Sequence, residues 1–126
     1  MFSASLAPPN AKAATAALHV IQKETWRHQK LWANTRLLLQ QLQEKETPIG
    51  RTETPIIPVF CGENQKAFCL ARELYEHGYL ATAVIYPAVP AHMSRLRLCV
   101  TAAMDDALLH RFAQDLDRCL VSMQSP

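Results

Sequence analysis

A chain of 126 residues with 49% hydrophobic content is long enough to bury one real core, and a formal charge of +2 is too small for a dedicated nucleic-acid or anionic-membrane binder. No apolar run approaches the length of a membrane span, and the start lacks the basic-then-apolar layout of a signal peptide. These exclusions leave a soluble, cytoplasmic protein as the expectation.

Residues 1–9 read as irregular and end in Pro8-Pro9, a rigid lead-in to a helix. From Asn10, a candidate N-cap, apolar residues recur at three and four positions through Ala14, Ala17, Leu18, Ile21, Leu31, Leu38 and Leu42. The pattern predicts one long helix to about Glu46, stopped by Pro48 and Gly50. Its Ala-rich first half would let another element approach closely, and Trp26 and Trp32 serve either a partner-facing surface or the core.

Thr54 to Phe60 reads as a short strand whose prolines assign it to a sheet edge or a strand start. A second helix follows from about Asn64 to His77, burying Ala67, Leu70, Ala71 and Leu74 and closed by Gly78. Leu80 to Tyr86 is a second strand, apolar almost throughout. After Pro87-Ala88-Val89-Pro90 comes a third strand in strict period two: Leu96, Leu98 and Val100 face one way, and Arg95, Arg97, Cys99 and Thr101 the other. Asp105 then caps a last helix with the face Leu108, Leu109, Phe112, Leu116 and Leu120. The expected class is α+β, a long helix followed by β-α-β-β-α in two layers. Residues 1–46 form the lead-in and an interdomain helix, and residues 47–126 a small domain.

Chemistry is thin along this chain. There is no phosphate-cradling glycine loop and no serine elbow. Lys12, Lys23, Lys30, Lys45 and Lys66 fall on polar helix faces or ends, without the apolar setting that activates an amine. Cys61, Cys69, Cys99 and Cys119 form no CxxC pair and share no ligand spacing with the histidines, so they read as buried reduced thiols and no metal site is expected. His92, beside the arginine strand, reads as a solvated loop residue. What remains is a strand guanidinium in need of an anion: either a protein carboxylate such as Asp105 or Asp106, or the carboxylate of a ligand.

Three blocks extend this reading. Phe2-Ser3-Ala4-Ser5-Leu6-Ala7-Pro8-Pro9 resembles the FS-x-S-L-x-P segment of the α-oxoamine synthases, a class-II aminotransferase-like family of pyridoxal-phosphate (PLP) enzymes. Thr54-Pro55-Ile56-Ile57-Pro58-Val59 resembles the family's [ST]-P-I-[IV]-P-V strand, and Pro87 through Arg97 to Ala103 its P-[TA]-V-P…R-[LI]-R…[ST]-A-A run. The blocks occur in family order across nearly the whole chain, and they resemble the C-terminal part of such an enzyme only.

The resemblance implies a C-terminal small domain of a fold-type I PLP enzyme that condenses an acyl-CoA with an amino acid and releases carbon dioxide. It would not be catalytic alone, because the Schiff-base lysine belongs to a preceding large domain. By the same resemblance Arg97 grips the substrate carboxylate, and Ser3 with Ala4 reaches the PLP phosphate of a partner subunit in a dimer. Ala88 stands where some members carry a substrate-contacting threonine, so that contact is lost. The family's A-A-H-[TS] is replaced by Ala102-Ala103-Met104-Asp105. Met1 directly ahead of the first block suggests a truncated reading frame, a gene fragment or a split subunit. An isolated domain of this kind has a second expectation: a non-catalytic module pairing with a full-length synthase through its long first helix.

Overall fold

The computed structural model describes residues 7–123, in the order α1 (Pro8–Lys23), α2 (Thr25–Glu44), β1 (Ile56–Gly62), α3 (Asn64–Glu76), β2 (Thr82–Val84), β3 (Ser94–Cys99) and α4 (Asp106–Ser122). The single long helix expected from Asn10 is instead two. Glu24 leaves helical geometry at φ −108°, ψ 56°; its N–H closes α1 on the Val20 carbonyl at 2.8 Å and its own carbonyl opens α2 by accepting from Arg27 at 3.1 Å. Its carboxylate also pairs with Arg27 at 2.7 Å. Asn10 is not the N-cap: Pro8 and Pro9 occupy the first turn, where a missing N–H is harmless, and Ala7 is the flanking residue.

The second helix ends before Pro48. Glu46 takes a left-handed φ of 53°, and Thr47 N–H returns to the Leu42 carbonyl at 3.0 Å, a Schellman closure built without glycine. Gly78 (φ 88°) closes α3 in the same way, with Tyr79 N–H on the Leu74 carbonyl at 2.9 Å. Asp105 caps α4 through Leu108 N–H.

The sheet is antiparallel in the order β1-β3-β2, so the arginine strand is central and the proline-bearing β1 is an edge. Residues 48–50 partly cover that edge, where Phe60 N–H donates to the Pro48 carbonyl at 2.7 Å and Gly50 N–H to the Pro58 carbonyl at 3.1 Å. Gly50, expected only as a helix stop, has a packing reason as well: a Cβ there would lie 3.0 Å from the Phe60 ring. β2 is shorter than expected, and Leu80, assigned to that strand, is 91% exposed ahead of it.

One face of the sheet supplies the core. Ile57 and Val59 of β1 pair with Leu98 and Leu96 of β3, and all four join Leu38 and Leu42 of α2, Leu70 and Leu74 of α3, and Leu109, Ala113, Leu116 and Cys119 of α4 in one cluster. Each fully buried leucine contributes about 2 kcal/mol by leaving water. α1 adds no buried residue. Among the described residues no helix is long and apolar enough to cross a membrane.

Candidate functional site

The face of the sheet turned away from the core is a row of three strands. Pro58, Arg97 and Thr82 stand in register across it, with Phe60, Arg95 and Val84 as the next row. Arg95 is committed locally: its Nε donates to the Met93 carbonyl at 3.0 Å and its guanidinium lies 4.7 Å from the Phe60 ring centroid. Arg97 is exposed, and among the described residues it has no ion pair and no side-chain hydrogen bond.

The internal partners considered for it are engaged elsewhere. Asp105 Oδ1 accepts from Leu108 N–H at 2.6 Å, and Asp106 pairs with Lys30 at 2.8 Å, which holds the Asp106 carboxyl below its usual range. The helix cap and the long reach of Lys30 consume both acids, so the protein-carboxylate reading is corrected. A guanidinium so presented can take a carboxylate through two parallel N–H bonds.

Ala88 lies in the exposed loop between β2 and β3, its N–H on the Ile85 carbonyl at 2.9 Å; the Tyr86–Pro87 peptide in the same loop is cis. The loop runs directly into the strand that carries Arg97, and no hydrogen bond joins Ala88 to it. Ser3 and Ala4 fall outside the described residues. His92, read as a solvated loop residue, is exposed and also partnered, its Nδ1 2.7 Å from Glu63 Oε1. No sequence signal marks Glu63, because the pairing spans twenty-nine positions.

The thiols divide differently from the expectation that all four are buried. Cys119 is buried, while Cys69 and Cys99 are exposed and Cys61 half-buried. Burial, with Glu73 beside it, pushes the Cys119 thiol up to about 11, and burial also raises Cys61, so neither is an activated nucleophile. Lys30 and Lys45 are ion-paired at 2.8 and 3.4 Å, and the described residues hold no cluster of metal-ligating side chains. A cavity of about 270 Å³ lined by Leu38, Leu98, Val100, Leu109 and Phe112 is apolar and does not include Arg97. Among the described residues the arrangement offers one unpaired guanidinium to an anion, and neither Cys61 nor Cys119 is an activated nucleophile.

Residues 1–116 match the family described as Aminotransferase class I and II. The chain is 33% identical over 124 residues to an 8-amino-7-oxononanoate synthase of Thermoanaerobacter pseudethanolicus, covering 98% of this chain and 30% of the relative. It is 36% identical over 102 residues to a serine palmitoyltransferase of Sphingobacterium spiritivorum, covering 81% and 26%. The fold is similar to that of a serine palmitoyltransferase from S. paucimobilis solved with bound PLP, at a TM-score of 0.85 and 24% identity over 97% of this chain and 31% of that one. The chain therefore spans about 30% of the length of the curated relatives it matches.

Proposed function

Since the chain belongs to the class I and II aminotransferase family, we propose that it is the C-terminal part of a PLP-dependent α-oxoamine synthase, which joins an acyl-CoA to an amino acid with loss of carbon dioxide. Arg97 holds the carboxylate of the amino acid. The observation that carries this reading is a guanidinium on the central strand, on the face opposite the core, with no protein anion in reach among the described residues.

The described residues fit the substrate end of such a site. Lys30 and Lys45 are ion-paired and Lys12, Lys23 and Lys66 are exposed, so the amine that binds the cofactor is assigned to the large domain that makes up the rest of the relatives' length. PLP, when bound there, supplies the electron sink for the substrate carbanion. Ser3 and Ala4 serve its phosphate in the partner subunit of a dimer. Arg97 anchors and orients the amino acid, and the Ala88 loop borders it without a hydroxyl contact. Residues 1–46 connect the large domain to the small domain of residues 47–126, in a cytoplasmic enzyme.

The test places these 126 residues in the corresponding part of the Thermoanaerobacter synthase. Arg97→Ala should raise the amino-acid KM by about 10- to 100-fold, the loss of a charge-assisted pair, and leave the acyl-CoA KM in place. An unchanged amino-acid KM removes the role assigned to Arg97.

A second reading is a non-catalytic subunit that pairs with a full-length synthase. It is favoured by α1, which buries none of its residues and leaves Leu18 60% and Ile21 68% exposed.

A further inference from the structure

The loop from Tyr86 to Met93 is exposed along most of its length, yet its exit is tied down twice. His92 Nδ1 lies 2.7 Å from Glu63 Oε1, and the fully buried Ser94 donates its hydroxyl to Asn64 Oδ1 at 2.6 Å. Both acceptors sit where β1 passes into α3. There the ladder slips between Phe60 and Gly62, so that Gly62, at φ 77°, comes opposite Ser94. A Cβ on Gly62 would stand 3.9 Å from the His92 carbonyl, which shows how closely the two segments lie.

His92 itself has φ 62°, a left-handed conformation that costs a side-chain-bearing residue a steric penalty. The other left-handed non-glycine residue of the described chain, Glu46, closes a helix, and that gives its conformation a cause. His92 closes no helix. It stands third in the Pro90–Met93 turn, closed by Met93 N–H on the Pro90 carbonyl at 3.1 Å, a position where positive φ is ordinary, and its side chain meets Glu63. Between two exposed side chains this contact would add little stability, so its consequence is geometric.

We propose that Glu63 is a positioning residue for the anion site: by tying the His92 turn to the start of α3 it sets the exit of the Ala88 loop and the entry of β3, so that the loop and the Arg97 guanidinium meet the amino acid as one fixed edge. The ligand's identity rests on the function proposed above; the clasp itself does not.

Amide hydrogen exchange on the 126-residue chain tests the clasp, read at Met93, whose N–H donates to the Pro90 carbonyl at 3.1 Å, and at Ala88. Glu63→Ala should speed exchange at both several-fold while amides of Leu74 and Leu116 keep their protection, which separates local loosening from failure to fold. Glu63→Gln keeps an acceptor oxygen and should stay close to the parent. Unchanged Met93 and Ala88 exchange in Glu63→Ala overturns the clasp, and so does a Gln variant that loosens as much as the Ala variant.

In the synthase chimera, Glu63→Ala should raise the amino-acid KM several-fold without changing the acyl-CoA KM. A loosened loop with an unchanged amino-acid KM overturns the positioning role. An Arg97→Ala variant that leaves the amino-acid KM untouched, beside a Glu63→Ala variant that loosens the loop, instead refutes the function and keeps the clasp.

Discussion

The phenol of Tyr79 donates to Asp115 Oδ2 at 2.7 Å while its ring meets Phe112 edge-on, the centroids 5.1 Å apart. Burial, then the hydrogen bond and negative charge of Asp115, raise its pKa against the opposing charge of Arg111. A raised folded-state value means that Tyr79 contributes its stability in full below the ordinary phenol range and loses it as pH climbs through the raised value. Tyr79→Phe keeps the ring contact and deletes the hydroxyl, so it should cost about 1–2 kcal/mol at neutral pH, a charged-acceptor bond discounted for partial exposure. Urea unfolding at pH 7 and again above pH 10 checks this; the difference between parent and variant should shrink in alkali. Arg118, 3.1 Å from Asp115 Oδ1, keeps the carboxylate partnered in the variant.

At the scale of elements, Asn34 is the joint between α2 and the turn after β3. Fully buried, it donates to the carbonyls of Thr101 at 2.9 Å and Met104 at 2.8 Å. Asn34→Asp puts an oxygen in place of the one nitrogen that serves both carbonyls and buries a charge, so it should cost about 3 kcal/mol or more, against about 2 kcal/mol for Asn34→Ala. Chemical denaturation at neutral pH separates the two. Asn34 was invisible in the sequence because a polar residue on a long amphipathic helix reads as surface; only the tertiary approach of the β3–α4 turn gives it partners. The alternation of Leu96, Leu98 and Val100 was legible because period two is a local signal, and so were the Asp105 cap and the Gly78 closure. The break at Glu24 was not: neither glycine nor proline marks it, and its one trace is the gap in the apolar spacing from Ile21 to Leu31, which a single helix with a polar stretch shows equally well. The site divides on the same line. Arg97 stands out by its pattern, but where Asp105 and Asp106 are engaged, one capping α4 and the other paired with Lys30 across seventy-six positions, is set by the tertiary fold.

At the scale of the whole molecule, α1 is the part least explained by this chain alone. A helix of sixteen residues with no buried side chain draws little from tertiary packing, the source of most helical stability in proteins. On size-exclusion chromatography the chain should co-migrate with a full-length synthase, and Leu18→Glu with Ile21→Glu should abolish that without lowering the melting temperature, because both residues are exposed. A strictly monomeric species that ignores the synthase eliminates the pairing. The central place of β3 in the sheet has a consequence of its own. Side chains alternate, so sliding this strand by one position would turn the guanidinium of Arg97 into the oil and push Leu96 and Leu98 into water. The aim of the Arg97 guanidinium is thus locked to the hydrophobic interior, and a one-residue insertion between Ser94 and Arg97 cannot spoil one and spare the other.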